Sequence, residues 1–366
     1  MIGYETLRLI WWALLGILLI GFAVMDGFDL GTAALLPFVG RTDMERRVAI
    51  NAVGPVWEGN QVWFILGGGA IFAAWPALYA ASFSGFYLAM FLVLATLILR
   101  PVGFKFRGKV DDARWRAFWD WCLFAGGIVP ALVFGVAFGN LFEGVPFRFD
   151  ETLRLQSDIT LFGLLNPFAL LAGLVSLSMI VLHGAAWLNH KTLGPVQMRA
   201  RAVLPLLAGL FALLFVLAGF WLSLKSGYRI EGAMAHDGPS NPLLKQVGRS
   251  PWALAWVAPA VALAGAALAV ALRGRPLAAL LCTALTTAAT IATAGLTLFP
   301  FLLPSSAMPG ASLTVWDASS SKLTLAVMLG VTCLLLPVVI AYTAWVYRVL
   351  RGPVSENSIK TGSHSY

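Results

Sequence analysis

Long apolar stretches recur along the whole chain, and short polar connections separate them. A helix needs about 20 apolar residues to cross the hydrocarbon core, because that core is roughly 30 Å thick and each residue advances about 1.5 Å. This criterion predicts about nine spanning helices, at 7–38, 49–75, 77–99, 116–142, 159–188, 203–224, 252–272, 276–303 and 324–349. The pattern therefore predicts an all-α polytopic membrane protein.

Composition supports lipid as the solvent. The 366 residues are 59% hydrophobic and only 11% charged, whereas ordinary soluble domains carry about a quarter charged residues. The longest connection, about 225–251, is too short for a soluble domain, so we expect one integral membrane domain over 1–366. We predict two four-helix bundles plus one extra helix, with halves at 1–150 and 151–303 and the last helix at 324–349.

Charge is informative about orientation. The net charge of +8 lies in no compact basic domain, so nucleic acid is not an expected partner. Connections after the odd-numbered spans carry about 17 of the 25 Lys and Arg residues, and cytoplasmic loops are enriched in these residues. We therefore expect the N-terminus in the periplasm and the C-terminus in the cytoplasm. The first apolar run is too long for a cleaved signal, so we expect it to be retained.

Ionisable side chains inside spans mark the candidate site, because each costs roughly 2.5 to 3.5 kcal/mol at the bilayer centre. Asp26 and Asp29, in the run MDGFDLG, are three apart and share one face of the first helix. Glu58, in PVWEGNQVW, lies in the second span with Gln61 on the same face and Trp63 close by. These residues are the candidates for a polar pocket.

The predicted depths of these acids agree. Asp29 and Glu58 each lie about nine residues from the inner end of their span, hence about 14 Å deep. Consecutive antiparallel helices are usually neighbours, so we expect Asp26, Asp29 and Glu58 to share a pocket open to the cytoplasm. Arg100 would be its counter-charge, and Asp120 enters the fourth span at a comparable height.

Two interpretations of this pocket remain open. Carboxylates that are desolvated and close together hold protons more readily, which suits a proton or cation path. The same residues could instead form a buried ion-pair and hydrogen-bond network that only fixes helix packing. Sequence physics alone does not decide between these two roles.

Histidine and cysteine patterns give no metal or haem site. A b-type haem needs axial ligands inside helices, usually His or Met, but His183 alone of the four histidines lies within a span. We interpret it as a structural residue. Cys122, Cys282 and Cys333 are far apart in apolar runs, so they predict neither disulfides nor a metal motif. Gly27 with Gly31, and Gly135 with Gly139, have the spacing of closely crossing helices.

Long polar and aromatic strings inside the apolar helices resemble subunit II of cytochrome bd ubiquinol oxidases over essentially the whole chain. They are IGYETLRLIWWALLGILLIGFAVMDGFDLG, ERRVAINAVGPVWEGNQVWFILGGGAIFAAWPALYAASFSGFY, LRPVGFKFR, WDW, GVAFGN, LLNPFALLAGL, FPFLLPSS and ASLTVWDASSSKLTL.

The resemblance implies a terminal oxidase of the bacterial cytoplasmic (inner) membrane that oxidises quinol and reduces dioxygen to water. It implies that haems b and d lie in an obligate partner, subunit I, while this chain supplies part of a cytoplasmic proton path. Glu58 stands where Asp is expected in the best-known members, whereas Asp29 and Arg100 match. The resemblance also suggests a bound ubiquinone near Trp57 and a small single-helix accessory subunit.

A different class of function also fits the residues alone. A proton- or cation-coupled secondary transporter likewise places carboxylates and broken helices near the midplane. A transporter would purify colourless and alone, whereas the oxidase subunit would purify with a haem-bearing polypeptide. A passive scaffold would tolerate neutralisation of Glu58 and Asp29.

Overall fold

The computed structural model describes residues 2–152, 154–225 and 253–361, and long α-helices dominate these parts of the chain. The helices are α1 (Tyr4–Met25), α2 (Gly27–Val39), α3 (Asp43–Asn51), α4 (Trp57–Asn60), α5 (Val62–Ala74), α6 (Pro76–Gly85), α7 (Tyr87–Phe106), α8 (Ala113–Glu143), α9 (Pro167–Lys191), α10 (Pro195–Ser223), α11 (Ala253–Ala271), α12 (Pro276–Leu298), α13 (Lys322–Val349) and α14 (Glu356–Thr361).

Seven segments of the described chain are long and apolar enough to cross a membrane. They are α1 together with α2, then α7, α8, α9, α10, α12 and α13. This confirms the all-α polytopic membrane fold. The first predicted span, 7–38, contains a junction at Asp26, which ends α1 and begins α2 in a helical conformation.

The second predicted span, 49–75, is wrong as a continuous helix. α3 ends at Asn51, the four-residue α4 follows, and α5 begins only at Val62. The segment between α3 and α4 contains Gly54 and Pro55. Proline lacks the N–H that a helix interior needs, and it disfavours helical geometry in the residue before it. The break frees α4 to turn its side chains independently of α3.

The third predicted span, 77–99, is also interrupted. α6 ends at Gly85 and α7 begins at Tyr87, with Phe86 between them. Glycine weakens a helix by about 1 kcal/mol relative to alanine. A Cβ at Gly85 would also meet the side chain of Ile159, so this position has both a conformational and a packing reason to be glycine.

Helix α9 is central to the packing of the described helices. It packs against α2, α8, α10 and α12, while α1 packs against α5 and α12. Gly31 on α2 and Gly184 on α9 meet backbone to backbone, so the small residues predicted to allow a close helix crossing do so here. The division of the chain into two halves stays a prediction, since α9 contacts helices from both.

One end of the bundle, which we call the basic end, collects the ends of α2, α7, α9 and α13 and the beginnings of α8 and α10. The chain after α13 folds back across it. Val354 pairs with Thr192 and exchanges backbone hydrogen bonds with Lys191 and Leu193. Ile359 on α14 is buried, and α14 packs against α3.

The opposite end, which we call the far end, contains two small antiparallel sheets that the all-helical prediction missed. β1 (Phe147–Phe149) pairs with β2 (Leu155–Ser157), and β3 (Phe301–Leu303) pairs with β4 (Leu313–Thr314). The N-terminus is tied to this end, because the Tyr4 hydroxyl donates to the Ser320 carbonyl.

Candidate functional site

A fully buried ion pair lies where α1 meets α2. Asp26 is 1% exposed and Arg100 on α7 is 0% exposed. Arg100 Nη2 donates to Asp26 Oδ1 at 2.8 Å, and Nη1 donates to Oδ2 at 3.1 Å. Two parallel hydrogen bonds of this kind are strong and directional. Arg100, the predicted counter-charge of the acids, has Asp26 as its partner.

The second carboxylate has a different environment. Asp29, also 1% exposed, accepts a hydrogen bond at Oδ2 from Asn60 Nδ2 at 2.8 Å. Asn60 Oδ1 in turn accepts from the Tyr347 hydroxyl on α13 at 2.8 Å. Asp29 Oδ1 is buried and has no hydrogen-bond partner within the described residues. Asp29 thus has one oxygen held by a neutral amide and one oxygen available.

The predicted pocket is wrong in one member, because Glu58 does not lie with Asp26 and Asp29. The Glu58 side chain is exposed on the surface of this chain, whereas Asn60, two residues later on the short helix α4, points inward to Asp29. Gln61 is half-buried and caps no helix with its side chain. The first two predicted spans do meet at the level of Asp29, but through Asn60.

Trp63 is also outside this pocket. Its ring packs against α1, where a Cβ at Gly21 would overlap it, and it belongs to the apolar cluster nearer the far end. Its contribution is helix packing between α1 and α5.

Asp120, predicted to enter the fourth span at a comparable height and to support the site, belongs to a separate cluster. It binds Arg107 Nε at 2.6 Å and Arg46 Nη1 at 2.7 Å at the basic end. Arg107 also binds Asp43 at 2.8 Å. Burial lowers the pKa of Arg107, but hydrogen bonds and charge from Asp120 and Asp43 outweigh this and raise it. The cluster joins α3, α7 and α8 by charge.

A second charged contact at the basic end fixes α3. Thr42 and Glu45 form a capping box, in which each side chain accepts from the other residue's backbone N–H. Glu45 also binds Arg199 on α10, at 2.7 Å and 3.1 Å. The hydrogen bond from Arg199 is the main cause that lowers the pKa of Glu45 to about 2.

Trp57, the candidate quinone contact, is 4% exposed and packs against Phe104 with ring centroids 5.5 Å apart. Its indole Nε1 has no hydrogen-bond partner within the described residues. The unpaired N–H suits a quinone carbonyl in its chemistry. The closed packing around the ring does not fit a quinone head group unless Phe104 moves.

Tyr347 is a site residue that sequence reasoning missed. It lies in the run AWVYRVL near the C-terminal end of α13, where a tyrosine resembles an ordinary interfacial anchor. Asn60 lies two residues after Glu58 but was not among the predicted site residues, since its direction depends on the break before α4. Pro55, five residues before Asn60, is the signal in the sequence that this segment does not continue the orientation of α3.

His183 makes structural contacts. Its Nδ1 lies 2.8 Å from Thr283 Oγ1, and its Nε2 lies 2.9 Å from the Val24 carbonyl. Both ring nitrogens are thus engaged by the protein. The described part of the chain contains no group of three His, Cys, Asp or Glu side chains arranged to hold a metal ion.

Comparison with known proteins is consistent across the whole chain. The family described as Cytochrome bd terminal oxidase subunit II matches residues 7–350. The "Cytochrome bd-I ubiquinol oxidase subunit 2" of Escherichia coli is 49% identical over 377 residues, with 100% of both chains covered. The "Cytochrome bd ubiquinol oxidase subunit 2" of Bacillus subtilis is 33% identical over 97% of this chain and 99% of its own length.

A solved structure agrees in fold. A chain of the bd oxidase from Geobacillus thermodenitrificans superposes with a TM-score of 0.67 at 16% identity, covering 94% of this chain and 99% of that chain. At this identity the likeness supports the fold alone. Full-length identity and the family match together show that the chain belongs to the cytochrome bd terminal oxidase subunit II family.

Proposed function

We propose that this chain is the haem-free partner of a haem-bearing subunit I in a bd-type quinol:dioxygen oxidase, and that it supplies part of the proton-uptake path. As a family member it is a subunit of an oxidoreductase complex and a multi-pass protein of the bacterial inner membrane. In this proposal haems b and d belong to subunit I, and ubiquinol is the electron donor, as the names of the relatives suggest. The accessory subunit stays a prediction.

The contrast between Asp26 and Asp29 is the observation on which the proton path rests. Arg100 neutralises Asp26 through two hydrogen bonds, so Asp26 is suited to a fixed ion pair. Asp29 is held by one neutral amide and keeps Oδ1 free. A buried carboxylate of this kind can accept and release a proton without breaking an ion pair. Asp29 is therefore the proton-exchanging member of the pair, and Asn60 and Tyr347 position it.

Exposure of Glu58 supports pairing with a second subunit. Glu58 lies close in sequence to Asn60, whose amide reaches Asp29 deep in the bundle. A carboxylate at such a depth facing lipid would cost roughly 2.5 to 3.5 kcal/mol. Contact with protein or enclosed water removes this cost. The surface around Glu58 is therefore the face that we assign to subunit I, where Glu58 and Gln61 would continue the path.

The basic end faces the cytoplasm in this proposal. Arg46, Arg107 and Arg199 lie together there, and positive residues favour the cytoplasmic side. The N-terminus is tied to the far end and is then periplasmic, while Val354 and α14 lie on the cytoplasmic side. Protons taken up at the basic end would come from the cell interior.

The test is turnover of the purified two-subunit complex with Asp29→Asn. We expect quinol-driven oxygen consumption to fall at least tenfold while the visible haem bands keep their positions and amplitudes, because the change removes a proton acceptor and keeps the shape. Asp158→Asn, at an exposed aspartate near the far end, is the matched control and should have wild-type turnover. Unchanged turnover in Asp29→Asn would refute the proton-path role.

Purification tests separately whether this chain pairs with a haem-bearing subunit I. A tagged copy of this chain in mild detergent should carry a haem-bearing polypeptide with visible absorption bands. A colourless chain that transports protons or cations alone would favour the transporter instead.

Glu58→Lys should weaken recovery of the haem-bearing polypeptide, because it places the opposite charge on the proposed contact face.

A further inference from the structure

One side of α9 carries three buried residues that contact the two helix breaks near the acids, and we call them the α9 clamp. They are His183, Gly184 and Trp187. Trp187 lies four residues after His183 and three after Gly184, so the three share one side of the helix. Each contacts the backbone of a different segment: His183 that of α1, Gly184 that of α2, and Trp187 that of the residue that ends α3.

His183 binds the end of α1. Its Nε2 lies 2.9 Å from the carbonyl oxygen of Val24, and because a carbonyl can only accept, this nitrogen carries the proton and donates. Val24 lies in the last turn of α1, where carbonyls have no intrahelical donor. On the other side of the ring, Nδ1 lies 2.8 Å from the Thr283 hydroxyl on α12. The imidazole therefore joins the end of α1 to α9 and α12, and a side chain inserted in this way is a known cause of a helix bend.

Trp187 makes the corresponding contact at the second break. Its indole Nε1 donates to the carbonyl of Ala52, the C-cap residue of α3, at 3.1 Å and at a buried position. In a continuous helix this carbonyl would accept from the N–H of Val56. Val56 donates instead to the carbonyl of Val53, at 2.9 Å. The indole thus supplies the donor that Ala52 loses where the helix breaks before α4.

Phe28, directly before Asp29 in the chain, contacts both polar side chains of the clamp. Its ring stacks on Trp187 with centroids 3.9 Å apart and meets His183 edge to face at 5.9 Å. Aromatic pairs prefer such stacked and edge-to-face arrangements. Rotation of α2 about its own axis, which would swing Asp29 away from Asn60, would break both ring contacts.

The two breaks that the clamp holds are the ones that bring Asp29 and Asn60 together. Asp29 lies in the first turn of α2, five residues after Val24, and Asn60 ends α4, eight residues after Ala52. Their side chains meet at 2.8 Å. Each break removes the continuous helical hydrogen bonding that would fix the direction of the next segment. A contact to a third helix then has to fix it, and α9 provides that contact for both segments.

We propose that His183 and Trp187 are positioning residues of the oxidase, which bind the end of α1 and the end of α3 to one side of α9 and thereby keep Asp29 and Asn60 in contact. This inference rests on the proposed function of Asp29 and adds the residues that hold it in place. Neither side chain exchanges a proton in this role, because both act through backbone carbonyls.

Two amide substitutions at His183 separate a donor at Nε2 from the filling of space. Glutamine can place its amide nitrogen near the position of the imidazole Nε2, whereas asparagine, one methylene shorter, reaches only the position of Nδ1. We expect oxygen consumption by the complex to stay within twofold of the wild type in His183→Gln and to fall at least fivefold in His183→Asn. The KM for quinol and the haem bands should not change. Equal turnover in the two variants would overturn the proposal for His183.

Trp187→Phe deletes the indole N–H and keeps an aromatic ring against Phe28. The matched control is Trp11→Phe, because Trp11 is as deeply buried as Trp187 and its Nε1 donates to the Leu325 carbonyl at 3.0 Å, near the far end. The two variants should lower the thermal midpoint of the complex by similar amounts. Only Trp187→Phe should also lower oxygen consumption, by at least threefold, since only it releases the break before α4. Equal turnover in the two variants would overturn the proposal for Trp187.

The clamp and the proton function fail differently. If Asp29→Asn slows turnover while His183→Asn matches His183→Gln and Trp187→Phe matches Trp11→Phe, the clamp inference is wrong and the role of Asp29 stands. If Asp29→Asn leaves turnover unchanged, the proton function is refuted and the clamp inference fails with it.

Discussion

Arg100 holds Asp26 through two hydrogen bonds at complete burial, while Asp29, three residues later, is bound only by the neutral amide of Asn60. Two carboxylates one helical turn apart therefore have different partners. The first is charge-paired inside the bundle, and the second is not. We therefore expect substitutions at the Arg100–Asp26 pair to change mainly the stability of the protein. Substitutions around Asp29 should change mainly its turnover.

Loss of one partner of the ion pair should destabilise the protein strongly. Arg100→Met leaves Asp26 buried without a counter-charge, and breaking a buried pair in this way costs about 3 to 5 kcal/mol. We expect a large fall in the thermal midpoint of the purified complex. The double variant Arg100→Met with Asp26→Leu should recover much of it, since it removes both charges. A double variant no more stable than the single variant would contradict this account.

The hydrogen bond from Tyr347 should matter less than the one from Asn60. Tyr347→Phe removes one neutral hydrogen bond, worth about 1 kcal/mol, and leaves Asn60 free to keep its contact with Asp29. Asn60→Leu removes the donor to Asp29 itself. We expect oxygen consumption to fall less than threefold in Tyr347→Phe and at least tenfold in Asn60→Leu, with haem content checked in both. Equal effects would show that Tyr347 acts directly.

Glu45 should make the stability of the folded protein depend on pH in the acid range. Its pKa in the folded chain is about 2, below its ordinary value of 4.5, chiefly because Arg199 donates to it. Its stabilising effect is therefore fully present above about pH 4.5 and is lost as the pH falls toward 2. Glu45→Gln should lower the thermal midpoint at pH 7, and its difference from the wild type should shrink below pH 4.5 and vanish only near pH 2. Glu356→Gln, at an exposed residue, is the control and should have no such pH dependence.

Close packing of α2 on α9 gives a prediction about glycine. A Cβ at Gly31 would overlap the Ile180 carbonyl and the backbone of Gly184. Overpacking typically costs about 1 to 3 kcal/mol, which exceeds the helix preference that alanine gains. Gly31→Ala should therefore lower the thermal midpoint. Gly209→Ala, where nothing lies within 4 Å of the added atom, should leave the midpoint unchanged or raise it.

Hydropathy was sufficient for the helical membrane fold because lipid requires long apolar helices. It could not place the break before α4, since Pro55 lies in a run that is apolar on both sides. That break decides that Asn60 points inward and Glu58 outward. The predicted depth placed Asp29 at the level of the second predicted span. Depth does not predict the direction in which a side chain points on an interrupted helix.

The sequence also could not predict which charged side chains pair with one another. Arg100 was expected near the acids, and its side chain reaches Asp26 because α7 brings it to the α1–α2 junction. Asp120 was expected at a similar height, yet Arg46 and Arg107 hold it at the basic end. Both small sheets were missed because their strands of two or three residues carry no usable period.

The return of the C-terminal segment across the basic end bears on how the protein is made. Val354 pairs with the end of α9, and Ile359 is buried where α14 packs on α3. α3 leaves the ribosome long before the segment that covers it. The face at the basic end is therefore completed only after α13 has been made, and a chain that stops before Val354 would leave an apolar surface open to chaperones and proteases.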